Sequence, residues 1–195
     1  MVNYPNKKKG QYTTRTIEGK HDTARRGMHL EEDINLSNEY YLSHDIAVIH
    51  KKPTPIQIVK VQYPARTAAK IVEAYFKTPS TTDYNGLYKG KYIDFEAKET
   101  KTMSFPFVNI STHQINHLDA IIRHQGIAFV IIAFTRVNEV YLIDASYIIE
   151  AYRYGKRQSM KYEVIKEKGH LIKQGYLPRL DYLDIVDRIY LGGKQ

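Results

Sequence analysis

The chain has 195 residues, enough for one domain with a real hydrophobic core but short for two large ones. Its 29 Lys and Arg against 21 Asp and Glu give a formal charge of +8, which favours a polyanionic partner, with nucleic acid ahead of an anionic membrane surface. The absence of cysteine excludes a disulfide framework and any thiolate metal site, and no run of 18 apolar residues exists to cross a bilayer, so no membrane role and a cytoplasmic location are expected.

Residues 1–26 carry seven Lys or Arg against Glu18 and Asp22 with little hydrophobic periodicity, and read as a flexible basic arm able to screen phosphates. A solubilising tail is the alternative. The segment RGMHLEEDINLSNEYYLS then has Leu30, Ile34 and Tyr41 at roughly helical spacing, with acids in its first turns where the helix dipole favours them. DIAVIHKK and IQIVKVQY read as short strands joined by Pro-Thr-Pro. ARTAAKIVEAYF is compatible with either a helix or an irregular strand. KYIDFEAKE alternates: Ile93, Phe95 and Ala97 point to a core, while Tyr92, Asp94, Glu96 and Lys98 share the other face. STHQINHLDAIIRHQG is an amphipathic helix closed by Gly126, IAFVIIAF a central strand covered on both faces, and EVYLIDA a further strand. SYIIEAYRY and PRLDYLDIVDRIY suggest terminal helices. The order predicts an α/β fold with a mixed central sheet flanked by helices.

The chemistry concentrates in TTDYNGLYKGKYIDFEAKET. If a hairpin folds DYNGLY against KYIDFEAK, Asp83 meets Glu96, and Lys98 points the same way as Glu96 from the same strand. Two carboxylates and a lysine suit a Mg²⁺ or Mn²⁺ site for phosphodiester hydrolysis; a surface carboxylate pair with a cross-strand ion pair is the plainer reading. Thr81 and Gln114 are candidate oxygen ligands, Glu31 or its neighbour Glu32 a candidate extra acid, and Asp94 shares the Glu96 face of an ideal strand. His113 and His117, one helical turn apart, read as surface histidines rather than a zinc pair. Lys51, Lys52, Lys60 and Arg66, and later Arg153, Lys156, Arg157 and Lys161, are candidate phosphate contacts, and some of the seventeen tyrosines could stack on bases.

Taken together, RGMHLEEDINLSNEYY, VQYPARTAAKIVEAYF, STTDYNGLYKGKYIDFEAKETK and SFPFVNISTHQINHL resemble the RecU family of Holliday-junction resolvases of Gram-positive bacteria, from about Gly27 to Tyr190. The resemblance implies a PD-(D/E)xK nuclease with a restriction-endonuclease-like fold, a nuclease domain at 27–195 and a protruding stalk inserted at about 53–80. The usual proline before the aspartate is displaced, since Pro79 precedes Asp83 by four residues. It further implies Mg²⁺, with Mn²⁺ as substitute, at Thr81, Asp83, Glu96 and Gln114; Lys98 stabilising the transition state; and Glu31 as an additional acid. Arg66 falls in the implied stalk, and Lys51 and Lys60 remain candidate DNA contacts on charge alone. The implied partners are four-way junction DNA, a second copy of the chain, RecA and the RuvAB machinery. A nuclease acting on other branched DNA, and a non-catalytic junction-binding regulator, are the competing functions.

Overall fold

The computed structural model describes residues 30–65, 68–77 and 81–192. Helix α1 (Leu30–Ser43) leads into strand β1 (Val48–Lys51), a long hairpin of β2 (Ile56–Ala65) and β3 (Ala68–Phe76), and a second hairpin of β4 (Tyr84–Tyr88) and β5 (Lys91–Thr100). Strand β6 (Ser104–Pro106), a short 3₁₀ turn and helix α2 (Thr112–Arg123) precede β7 (Ile127–Phe134) and β8 (Glu139–Asp144). Helix α3 (Ala145–Tyr154), β9 (Ser159–Lys161), α4 (Tyr162–Lys168), β10 (His170–Leu171) and α5 (Tyr182–Tyr190) complete the chain. The expected basic arm at 1–26 and Arg66 lie outside the described residues. Among the described residues no helix is long and apolar enough to cross a membrane.

Six strands form one mixed sheet in the order β1-β4-β5-β7-β8-β10. Only β5 and β7 run parallel, and α2 supplies the crossover that parallel neighbours require. All eight residues of β7 are buried because both faces of the sheet are covered. One face packs Ile93, Phe95, Ala97, Phe129 and Ile131 against α1 and α5 through Leu30, Ile34, Tyr182 and Val186. The other packs Val130, Ile132 and Phe134 against Ile115 and Leu118 of α2, Ile148 of α3 and Ile165 of α4. Phe95 stacks between Tyr84 at 4.9 Å and Phe129 at 4.7 Å, so an aromatic column crosses β4, β5 and β7 on the face opposite Asp94 and Glu96.

The tight connection between β4 and β5 is Lys89-Gly90, both at positive φ (47° and 75°), the conformation a two-residue hairpin turn demands. It pairs Tyr88 with Lys91 and Tyr84 with Phe95, which sets Asp83 opposite Glu96. Gly86 lets β1 approach: a Cβ there would lie 2.1 Å from the Val48 carbonyl.

ARTAAKIVEAYF contributes a strand, not a helix. Alternation could not reveal it, because β2 and β3 form a separate two-stranded sheet with nearly every described residue exposed, including Ile58, Val59, Tyr63, Val72, Tyr75 and Phe76. Register shifts near Lys60 and Gln62 add irregularity to the ribbon.

Truncating the middle of the aromatic column tests this packing. Phe129→Ala should cost about 3–5 kcal/mol in urea unfolding, whereas a loss near 1 kcal/mol would show that the column does not organise the core.

Candidate active site

Strand β5 presents Asp94 and Glu96 to the α2 side of the sheet, and both are fully buried. The expected shared face is therefore real but is not solvent. A buried carboxylate must be paired, hydrogen-bonded or protonated, and these two meet that demand differently.

Asp94 is saturated. Its Oδ2 accepts from Lys52 Nζ at 2.8 Å and Tyr92 OH at 2.9 Å, with His117 Nε2 at 3.1 Å, and its Oδ1 accepts from Thr82 Oγ1. Lys52, read from sequence as a phosphate contact, is thus held internally, and His117, read as a surface histidine, faces a buried carboxylate. Sequence reasoning noticed Asp94 but not its donors, which come from positions 52, 82, 92 and 117 and converge only through strand register and the crossover helix.

Glu96 is not saturated. Lys98 Nζ approaches its Oε1 as an ion pair and lies 3.9 Å from Asp83 Oδ2, yet neither carboxylate oxygen of Glu96 receives a well-directed hydrogen bond. Burial first, and then the neighbouring Asp83 carboxylate, push the Glu96 carboxyl from 4.5 up to about 8, with Lys98 opposing them. Asp83 and Lys98 remain about a quarter exposed, so the open side of the group is wet.

The other candidates divide. Thr81, Asp83 and Glu31 line one cleft together with Lys51, Lys52 and Pro53–Pro55, and Glu31 also borders a second cleft with Leu30, Ala97, Lys98 and Glu99. Glu31 is ion-paired to Lys51, so Lys51 is not a free cation. Gln114 is buried, and its Oε1 accepts from the Ser111 amide in a capping box that starts α2. That box leaves one lone pair of Oε1 and the amide nitrogen for other contacts. Lys60 lies on the β2–β3 hairpin, away from the sheet that carries Asp83 and Glu96. In the later basic cluster, Arg153 is engaged by Asp119 and Asn116.

Among the described residues no three His, Asp or Glu side chains gather as a metal set. The donors present nevertheless fit a hard divalent cation. Such an ion, Mg²⁺ above all, takes one or two carboxylates and fills the rest of its shell with neutral oxygens and water, and the two unsatisfied oxygens of Glu96 beside Asp83 offer that pair.

The raised Glu96 pKa yields a prediction on the metal-free protein. Since the folded value of about 8 exceeds the ordinary 4.5, protonation of Glu96 favours the fold fully below about pH 4.5, and that contribution drains away as the pH rises to about 8. In chelator, Glu96→Gln should match the parent near pH 5 and exceed it at pH 8 in melting temperature. An offset that stays constant over that range would refute the assignment.

Comparison with known proteins places the chain in a family. The sequence model of Recombination protein U, RecU, matches residues 25–188. The Holliday junction resolvases RecU of Bacillus cytotoxicus and of Bacillus thuringiensis strain Al Hakam are each 55% identical over 97% of this chain and 98% of their own. The structure of Hjc, a Holliday junction resolvase from Archaeoglobus fulgidus, aligns with a TM-score of 0.46 at 14% identity, covering 74% of this chain and 95% of that one. With most of its length matched by the family model and by such near relatives, the chain belongs to the RecU family.

Proposed function

We propose that this chain is a metal-dependent endonuclease that resolves four-way DNA junctions by paired phosphodiester cleavage in recombination and repair. The 55% identity, along nearly the whole chain, to relatives named Holliday junction resolvase carries the reading. The buried, unsatisfied Glu96 beside Asp83 and Lys98 supports placing the chemistry there.

In this reading Asp83 and Glu96 hold the cation, with Thr81, which lines the same cleft as Asp83, and Gln114 as further oxygen donors directly or through water. Bound Mg²⁺, or Mn²⁺ in its place, would polarise a phosphoryl oxygen and lower the pKa of an attacking water. Glu96, with its pKa raised in the metal-free site, would be held in its charged form beside a bound cation. Lys98, tethered to Glu96 and exposed towards the cleft, offers its ammonium to the charge that builds on the phosphate in the transition state. Glu31 adds negative charge at the cleft wall, and an arriving phosphate would compete with it for Lys51.

Recognition is assigned to the β2–β3 hairpin as the stalk of the domain, with Lys60 and Arg66 on backbone phosphates at the junction centre. Its row of exposed apolar side chains supports this, since a two-stranded ribbon is marginal alone and gains stability from what it touches. A homodimer would set two sites on opposing strands, and the work would take place in the cytoplasm with RecA and RuvAB as collaborating machinery.

Cleavage of four-way, three-way and linear duplex DNA in Mg²⁺, Mn²⁺, Ca²⁺ or chelator tests the activity. Metal-dependent paired cuts confined to the four-way substrate are expected; a cation-independent product, or none on any substrate, would sink the reading. Asp83→Ala and Glu96→Ala should each lower the single-turnover rate by at least about 100-fold, a loss of the size that removing one charge-stabilising group produces, while junction binding persists through phosphate contacts elsewhere. Lys98→Ala should slow the chemical step without unfolding the chain. For the hairpin, the Lys60→Ala, Arg66→Ala double variant should narrow the ratio of junction to linear-duplex affinity across a salt series, and an unchanged ratio would remove it from recognition.

A further inference from the structure

The four donors on Asp94 come from four separate places: Lys52 just past the end of β1, Thr82 in the segment before β4, Tyr92 on β5 itself and His117 on α2. Lys52 does more than neutralise the charge. Its Nζ also donates to Thr82 Oγ1 at 2.9 Å, and its backbone N–H donates to the Asp83 carbonyl at 2.7 Å. The peptide that carries Asp83 is therefore gripped from its carbonyl and from its preceding side chain, and both grips end on Asp94. Lys52 is also the last residue before Pro53-Thr54-Pro55, the entry to the β2–β3 hairpin, so one carboxylate fixes the base of the hairpin and the Asp83 segment together.

A buried ion pair is poor evidence for stability, because desolvation offsets the attraction and apolar replacements are often as stable. What such a cluster does supply is one defined geometry. The Asp83 side chain is not touched by the cage: among the described residues it faces Lys98 and Glu96, and its position against them depends on where its backbone is held.

We infer that Asp94 is the positioning residue of the site, holding Asp83 in register with Glu96 through Lys52 and Thr82. It rests on the reading that Asp83 and Glu96 bind the divalent cation. Outer groups that orient metal-binding carboxylates are expected to cost about 10- to 100-fold in metal affinity or activity when altered.

The test uses the full-length chain with four-way junction DNA and Mn²⁺ as the probe cation. Asp94→Asn keeps the shape and loses the charge that draws Lys52; Thr82→Val cuts the link on the Asp83 side. Each should raise the Mn²⁺ concentration for half-maximal single-turnover cleavage by about tenfold or more, with junction affinity in Ca²⁺ within about twofold of the parent. Lys52→Met added to Asp94→Asn should worsen it little further, because the two act through one cage. A purely structural role predicts a lower melting temperature and a smaller active fraction with unchanged Mn²⁺ half-saturation, and that result overturns the inference; should Asp94→Asn fail to fold, Thr82→Val decides. Asp83→Asn and Glu96→Gln separate the two levels: if both still cleave, the site reading falls and the inference with it, whereas if both are dead and the cage variants keep the parent's half-saturation, only the inference falls.

Discussion

Everything at the site follows from two carboxylates placed two residues apart on one buried strand. Alternation along β5 makes it unavoidable that Asp94 and Glu96 enter the same interface with α2, and the low polarizability of that interface leaves neither free to be charged alone. The fold answers the first with four donors and leaves the second with one lysine and a competing acid. That asymmetry separates a carboxylate held by a full set of donors from one whose oxygens are left without a hydrogen bond. It is the pattern by which neighbouring acidic groups acquire different tasks: environment, not residue type, divides the work.

The sheet supplies the precision. A two-residue turn at Lys89-Gly90 fixes the β4–β5 register, the aromatic column of Tyr84, Phe95 and Phe129 locks the strands laterally, and the α2 crossover brings His117 down on Asp94 from above. The β2–β3 hairpin is built on the opposite principle, with side chains exposed on both faces and a shifted register. In the proposed function the site on the sheet would cut and the ribbon would recognise the branched shape.

Much of this was legible in the sequence where periodicity and turn chemistry speak. IAFVIIAF, the most apolar strand candidate, is a strand covered on both faces, and the Asp83 to Glu96 spacing required a hairpin to mean anything, which Tyr-Lys-Gly-Lys provides. The resemblance carried by the segments around Glu31, Asp83 and Gln114 pointed to the family to which the chain belongs. Where periodicity is silent the reading stalled: residues 68–76 are exposed on both faces, so neither a helical nor a strand period is imprinted on them. The fates of Lys52, Asp94 and His117 were out of reach for another reason. They are set by partners 42 and 23 positions from Asp94 in sequence, and a lysine drawn inward looks like any surface lysine until its carboxylate is found. Gln114 shows the same limit, since its capping role depends on Ser111 starting the helix.

A crystal of the chain soaked in Mn²⁺ and examined by anomalous scattering bears on the division between Asp94 and Glu96 without recourse to activity. A peak bridging Asp83 and Glu96, with Lys98 turned off Glu96 and Asp94 still holding Lys52, Thr82 and His117, is the predicted result. A peak at Asp94 with its donors displaced, or occupied manganese elsewhere while Glu96 stays paired to Lys98, would contradict it.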